Sequence, residues 1–191
     1  MQLIAKNERI GDMENQAMLE KLTEKLANAI KGSADRFGSL EIQVERSQIV
    51  KVVKTLRDEP EFNFNMLIDI VSVDYSAYAG WTGERFGVIY HLKSLELGHR
   101  VQLAVTAPED EPVVPTLNAL YANADWLERE AFDQMGIRFA GHPNLKRLLN
   151  HHEFVGHPLR KDYPITRRQA LSMNESLMDE MEVRLKEKGY A

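Results

Sequence analysis

The sequence predicts an α+β domain with helices on one side of a mixed or antiparallel sheet, followed by an extended C-terminal segment and a short helix. Its 191 residues, 43% of them hydrophobic, support a single domain with a substantial core. Several stretches alternate apolar and polar residues as half-buried strands do, and others space their apolar residues by three or four as amphipathic helices do. The resulting order of helix, strand, helix, three strands and helix is typical of an α+β protein.

The first two predicted elements are a helix and a strand. Apolar residues at spacings of three and four predict a helix from Met13 to Ile30, with Gly32 as its C-terminal stop. Those residues are Leu19, Leu22, Leu26 and Ile30. Strict alternation over residues 40–45 then predicts a strand that buries Leu40, Ile42 and Val44 on one face.

A second helix and a second strand follow. Ser47 is a candidate N-cap for a helix that carries Ile49, Val50, Val53 and Leu56. That helix should end before Pro60, because proline disfavours helical geometry in the residue before it. The stretch from Phe64 to Tyr75 is apolar without clean alternation, so we expect a central strand covered on both faces.

The third and fourth strands complete a meander. Residues 86–92 and 101–105 alternate, and turn residues precede each run at 79–83 and at Leu97-Gly98. After a proline-rich acidic loop, a helical stretch is predicted from about Thr116 to Met135. Asp125 and Glu128 would form its capping box, and Gly136 would stop it.

The composition changes after Gly136. Residues 138–168 contain seven Arg or Lys residues against Glu153 and Asp162, which makes this stretch +5 and leaves −10 for the rest of a chain of net charge −5. The basic residues are Arg138, Lys146, Arg147, Arg160, Lys161, Arg167 and Arg168. Three prolines there disfavour long helices and central strands.

We therefore divide the chain into an α+β domain (1–136), an extended basic docking arm (137–168) and a helical tail (169–191). The arm is called the basic segment below. In the tail, Ser172 and Glu175 are a possible capping box for a helix with Leu177, Met181 and Leu185 on one face.

Composition also excludes several functions. The chain has no cysteine, so it has no disulfide, no thiol nucleophile and no standard cysteine-ligated zinc or iron–sulfur site. No run of about 18 apolar residues predicts a membrane span. The polar N-terminus lacks the apolar core of a secretory signal, so we expect a cytoplasmic protein.

Three site hypotheses follow from residue types alone. Four clustered histidines, His142, His151, His152 and His157, could bind a metal, but hydrogen bonds across turns or to a partner are favoured. Closely placed carboxylates at Glu128 and Glu130 could form an acid/base site, although helical spacing points them apart and pairs Arg129 with Asp133. The basic segment could bind nucleic acid, but its interleaved apolar residues favour a protein surface.

The stretch from Trp126 to Leu149 resembles the signature of the C-subunit family of proton-translocating NADH:quinone oxidoreductase, respiratory complex I. The family pattern is E-R-E, an aromatic, D, two variable positions, G-I, F, G-H-P, L, R and an aliphatic residue. The matching residues are Glu128, Arg129, Glu130, Phe132, Asp133, Gly136, Ile137, Phe139, Gly141, His142, Pro143, Leu145, Arg147 and Leu148. The stretch from Phe154 to Pro164 is similar to the family's downstream block and includes Gly156, His157, Pro158, Arg160, Lys161, Asp162 and Tyr163.

The resemblance implies a structural subunit of the peripheral arm that lies against the quinone-site subunit, which is homologous to the hydrogenase large subunit, and the adjacent iron–sulfur subunits. It implies no catalytic residue, cofactor or metal in this chain, with FMN and iron–sulfur clusters held by partner subunits. Residues 128–133 would brace the start of the basic segment, and residues 141–164 would run along neighbouring subunits. The chain would reach the cytoplasmic side of the inner membrane only through the complex, and it would not bind nucleic acid.

Two alternatives remain open from the sequence. The chain could be the equivalent subunit of a membrane-bound hydrogenase or formate hydrogenlyase, which differ in electron donor. It could instead be an independent enzyme that uses Glu128, Glu130 and His142.

Overall fold

The computed structural model describes residues 16–36, 39–169 and 172–189. The principal elements in chain order are α1 (residues 16–26), β1 (Ile30–Arg36), β2 (Ser39–Val44), α2 (Ile49–Asp58), β3 (Met66–Asp74), β4 (Phe86–Lys93), β5 (Arg100–Ala107), β6 (Val113–Pro115), α3 (Ala124–Met135), β7 (Arg138–Ala140) and α4 (Ser172–Glu187). The fold is α+β, as the sequence predicts.

The main sheet is mixed and has the strand order β1-β2-β5-β4-β3. Strands β3, β4 and β5 form the predicted antiparallel meander, and β2 joins β5 in parallel with Ile42 opposite Leu103. Alternation places Leu40, Ile42 and Val44 in the core, together with Tyr90. Residues from α1, α2 and α3 belong to the same buried apolar cluster, so the domain has one continuous core.

The first helix ends earlier than its apolar spacing predicts. Helix α1 is described to residue 26, a short 3-10 turn covers Ala27–Ala29, and Ile30 already pairs with Val44 as the start of β1. Gly32 therefore lies inside a strand, beside a register shift, and does not stop the helix. Pairing with β2 overrides the local period here. The predicted start at Met13 lies outside the described residues.

The prediction of a central strand over residues 64–75 is wrong, because β3 is an edge strand of the sheet. Its inner face buries Leu67 and Ile70, whereas Met66, Ile68 and Val71 remain exposed. The apolar residues on the second face of β3 are therefore exposed to solvent, and the strand is not buried between two layers.

Two predicted helix starts are also wrong. Ser47 lies in a 3-10 turn and is not the residue that precedes α2. That residue is Gln48, whose side chain forms no cap. Helix α3 begins at Ala124, because the chain before it forms β6, which pairs in parallel with β7 and leads into turns. Asp125 and Glu128 do not form a capping box, since Glu128 is hydrogen-bonded to the turn before the helix.

The C-terminal end of α3 is as predicted. Gly136 adopts a left-handed conformation (φ 76°), and its N–H donates to the carbonyl of Phe132. The tail contains α4, on which Met181 and Leu185 are exposed. The side chains of Ser172, Glu175 and Leu177 lie outside the described part of the structure, and the division of the chain into three parts stays a prediction.

Candidate functional site

Helix α3 carries two fully buried carboxylates, Glu128 and Asp133, which are 0% exposed. Helical geometry places them on inward-facing sides of the helix, while Glu130 is exposed to solvent. Glu128 and Glu130 therefore point apart, as the helical spacing predicts. A buried carboxylate is stable only when hydrogen bonds or a cation compensate for its lost hydration, so their partners decide the role of this helix.

The Asp133 carboxylate holds the first part of the basic segment in place through hydrogen bonds. Its Oδ2 accepts hydrogen bonds from the backbone N–H groups of Leu148 (3.0 Å), Leu149 (2.8 Å) and Asn150 (2.7 Å). Its Oδ1 accepts from the Asn150 side chain at 3.1 Å and from Arg147 Nη1 at 2.6 Å. One carboxylate thus fixes four consecutive residues.

The predicted ion pair between Arg129 and Asp133 is wrong, because Asp133 pairs with Arg147 instead. Arg129 instead donates to the carbonyls of Lys146 and Arg147. Both residues of the expected pair therefore bind the basic segment and not each other.

The electrostatics of Asp133 reflect these contacts. Burial by itself would raise the pKa of the carboxyl, but the hydrogen bonds from Asn150 and Arg147 outweigh burial and lower the pKa to about 2. Asp133 is consequently ionised at neutral pH, and its charge holds the segment in place.

The basic segment also satisfies the C-terminal carbonyls of α3. The carbonyl of Asp133 lies 3.0 Å from His157 Nδ1, the carbonyl of Gln134 accepts from Leu159 N–H at 3.1 Å, and that of Met135 accepts from Arg160 Nε at 2.7 Å. A helix leaves its last carbonyls unpaired, and cations are favourable there. The segment is therefore the cap of this helix.

Gly136 is required by this arrangement. A Cβ at this position would lie 2.5 Å from Arg160 Nη2 and 2.6 Å from the His157 ring. The positive φ adds a second reason for glycine. Burial, opposed by the carbonyl of Asp133, lowers the pKa of His157 and favours its neutral form.

Glu128 closes the turn that precedes α3. Its carboxylate accepts hydrogen bonds from the Thr116 hydroxyl and, at 2.6 Å, from Leu117 N–H. Burial raises the pKa of Glu128 despite these bonds. Burial raises the pKa of the Tyr90 hydroxyl, and the negative charge of Glu128 raises it further.

His142 ties the start of the basic segment to the first turn of α3. Its Nδ1 accepts from Asn144 N–H at 3.0 Å, so its Nε2 is the donor toward the Asp125 carbonyl at 3.2 Å. The Asp125 carboxylate is 3.1 Å from the same nitrogen. This histidine bridges turns, as the favoured interpretation of the cluster proposes.

A third buried carboxylate, which lies outside the signature, holds the far end of the segment. Asp74, at the end of β3, accepts from Arg85 Nη2 and from Lys161 N–H, both at 2.9 Å. Arg85 also pairs with Asp162 at 2.9 Å and with Glu109. Although burial opposes ionisation, Arg85 and the Lys161 N–H hold the pKa of Asp74 well below its usual range.

The remaining signature residues pack around these contacts. Ile137 and Phe139 are buried, Leu145 packs against the core, Phe132 meets the His157 ring edge-on, and Tyr163 stacks on Phe154. Gly141 and Pro143 are exposed, and Gly156 and Pro158 are half-buried. The sequence did not indicate Asp74, Arg85, Thr116 or Asn150, because nothing in their local pattern distinguishes them.

The four histidines do not come together. His142 and His157 bind opposite ends of α3, whereas the His151 and His152 rings lie 4.2 Å apart at the surface. Within the described residues, no group of three or more His, Asp or Glu side chains could hold a metal ion.

Fold and site together define a class of protein, an α+β domain whose charged signature folds a basic segment of the same chain onto the end of one helix. A family model described as "Respiratory-chain NADH dehydrogenase, 30 Kd subunit" matches residues 42–169. The chain belongs to that family.

Individual proteins agree with this assignment. The chain is 46% identical over 141 residues to the C subunit of the NADH-quinone oxidoreductase of Xanthobacter autotrophicus, a match that covers 74% of this chain and 65% of that protein. A trypsin-resistant fragment of Nqo5 is 34% identical with a TM-score of 0.60, over 68% of this chain and 98% of the fragment. A chain of an archaeal membrane-bound sulfane sulfur reductase is 25% identical with a TM-score of 0.67, over 80% of this chain and 87% of that one.

The protein is therefore a subunit of a respiratory NADH-quinone oxidoreductase complex, and its partners are the other subunits of that complex. The names of the relatives support this assignment and not the hydrogenase or formate hydrogenlyase alternative. None of the helices that the structure describes has the length and apolar character to cross a bilayer.

Proposed function

We propose that this chain is a structural, non-redox subunit in the peripheral arm of a proton-translocating NADH:quinone oxidoreductase. The observation that carries the proposal is the hydrogen bonding of Asp133. A carboxylate whose two oxygens already bind four residues of the basic segment is occupied in shaping a surface. Glu128 is likewise bound to Thr116 and Leu117, so the two buried carboxylates of the signature both have structural partners.

The partners that we propose are the quinone-site subunit and the adjacent iron–sulfur subunits. The basic segment offers them exposed apolar and cationic side chains on a backbone that is fixed to α3. A chain without cysteine supplies none of the thiolates that ordinary clusters need, so we assign FMN and the iron–sulfur clusters to the partner subunits. The site residues of this chain would therefore act by positioning subunits, without catalytic contacts of their own.

The location follows from the same proposal. The complex would hold this chain on the cytoplasmic side of the inner membrane, where NADH is oxidised. Nucleic acid is not a partner under this proposal, because two of the segment's arginines are bound inside the domain and the rest of the chain is acidic.

Purification of the native complex through a tag on this chain tests the proposal. We expect flavin-containing and NADH-binding subunits in the preparation and NADH:quinone reductase activity. Replacement of Asp133 by Ala should reduce the amount of the chain in the complex and should reduce quinone reduction more than NADH oxidation by an artificial acceptor. Recovery of a nickel subunit in place of the NADH-binding subunits, or turnover of a small molecule by the chain alone, would contradict it.

A further inference from the structure

Three aromatic side chains form a cluster on the turn that joins β3 to β4. The Tyr75 and Trp81 rings are stacked with their centroids 4.1 Å apart, and Tyr78 meets the Tyr75 ring edge-on at 6.2 Å. The cluster lies at the surface, because Tyr78 is 67% exposed and Trp81 is 36% exposed. A single exposed aromatic side chain needs no explanation, but a group of them marks an interaction site. We call Tyr75, Tyr78 and Trp81 the aromatic cluster.

The surrounding chain fixes the position of the aromatic cluster. The Trp81 indole N–H donates to the Glu84 carbonyl at 2.8 Å. A Cβ at Gly83 would lie 2.8 Å from the Trp81 ring. A Cβ at Gly87 would lie 2.6 Å from the Tyr75 ring, so both glycines let the backbone lie directly against an aromatic ring. The rings are therefore held in place before any ligand binds, which lowers the entropic cost of binding.

Two clefts share the aromatic cluster as part of their lining. The first has a volume of about 410 Å³ and extends to Arg85 and the loop after β5. The second has a volume of about 310 Å³ and lies on the outer face of the main sheet, where Ile89 and Ala104 form part of its lining. A ligand that occupies both clefts is longer than a single ion, so we expect a segment of polypeptide.

The charge of the first cleft selects a cationic ligand. Its charged lining residues are Glu84, Arg85 and Glu109. The charge of Arg85 is more than balanced, because its guanidinium pairs with Asp74 and Asp162 as well as with Glu109. Glu84 is exposed and forms no ion pair with any residue that the structure describes. The cleft therefore combines aromatic rings with excess negative charge, and both attract a cation.

Arginine fits the first cleft better than lysine does. Its planar guanidinium can stack on an aromatic ring and donate hydrogen bonds to a carboxylate at the same time, whereas the ammonium of lysine is compact and strongly hydrated. In the second cleft, Ile89 and Ala104 suit an apolar side chain beside the arginine.

We propose that the aromatic cluster and its two clefts bind an arginine-containing segment of another protein. The guanidinium lies against the Tyr78 ring and close to the Glu84 carboxylate, and a neighbouring apolar side chain contacts Ile89 and Ala104. The proposal goes beyond the proposed function, because this chain alone forms the site and the residues that Asp133 holds do not contribute to it.

Titration of the full-length chain with a short peptide tests the proposal through the fluorescence of Trp81. The chain has two tryptophans, so the substitution Trp126→Phe removes the other signal. The probe is the capped tripeptide acetyl-Leu-Arg-Leu-amide, and the comparison peptides carry lysine or glutamine in place of the arginine. We expect a saturable change in emission with the arginine peptide, about threefold weaker binding of the lysine peptide and at least about tenfold weaker binding of the glutamine peptide.

Substitutions in the first cleft test which side chains bind the guanidinium. Tyr78→Ala and Glu84→Gln should each weaken binding of the arginine peptide about three- to tenfold. Both side chains are exposed, so thermal unfolding should be unchanged and should show that the variants are folded. The matched control Glu20→Gln removes an exposed carboxylate from α1, outside both clefts, and should leave the affinity unchanged.

Several results would overturn the proposal. An emission that does not saturate with the arginine peptide would show that the site does not bind arginine. Equal affinity for the glutamine peptide would show an apolar groove without charge selection. A loss in Glu20→Gln as large as that in Glu84→Gln would show a general effect of charge. Spermine that binds as tightly as the peptide would assign the site to a free polycation, and self-association that Tyr78→Ala abolishes would assign it to a second copy. The proposed function would survive each of these results, because it is tested separately by purification of the complex.

Discussion

Replacement of Asp133 by Asn should destabilise the folded chain by about 3 kcal/mol. The lowering of the Asp133 pKa from 3.8 to about 2 corresponds to about 2–3 kcal/mol of stabilisation at neutral pH, at about 1.4 kcal/mol per unit. Loss of one partner from a buried ion pair costs about 3–5 kcal/mol, and this figure includes the same charge, so the two are not added. Asn also turns an NH₂ group toward N–H donors that need an acceptor.

Urea unfolding of the full-length chain measures this loss, and hydrogen exchange locates it. The amides of Leu148, Leu149 and Asn150 donate to Asp133, so they should lose protection first. Glu130→Gln is the matched control, because this residue is on the same helix and exposed, and it should change the free energy of unfolding by less than about 0.5 kcal/mol. An Asp133→Asn variant as stable as that control would refute the assignment of Asp133 as the residue that holds the segment.

The pH dependence of the free energy of unfolding provides an independent check on the role of the Asp133 charge. Because the folded pKa of Asp133 lies below its unfolded value, its contribution is complete above about pH 5 and is lost as the pH falls toward about 2. The difference in stability between wild type and Asp133→Asn should therefore shrink over that range. A constant difference down to pH 3 would mean that charge does not hold the segment.

Three further substitutions test the neighbouring contacts. Gly136→Ala should cost at least about 1 kcal/mol more than Gly98→Ala in thermal unfolding, because both glycines have φ 76° but only Gly136 has side chains above it; equal costs would argue against the close approach. The wild-type chain should gain stability as the pH falls through the raised pKa of Glu128 toward 4.5, and Glu128→Gln should abolish this gain. A wild-type stability profile that is flat over that range would contradict the raised pKa. Arg85→Gln should increase hydrogen exchange at Lys161 N–H, since it removes the cation that holds Asp74 in place, and unchanged exchange would show that Asp74 needs no arginine.

Much of the fold could be predicted from the local spacing of apolar residues, because that spacing shows which residues of a single helix or strand are buried. Alternation in β2, β4 and β5 places their inward residues correctly, and Gly136 marks the end of α3. The same local signals fail where a distant part of the chain competes. Ile30 has a helical spacing, but it pairs with β2, and the apolar residues of β3 do not show that this strand lies at the edge.

The sequence by itself determined the family, because an ordered series of residue types from Glu128 to Leu148 can be recognised without coordinates, and it determined the absence of cysteine chemistry. Only the tertiary structure decided what the charged residues bind. Asp133 meets Arg147 and not the neighbouring Arg129, and Asp74 meets Lys161, which is 87 positions away. Such pairs depend on the path of the whole chain, whereas spacing within a helix reports only which residues share a face.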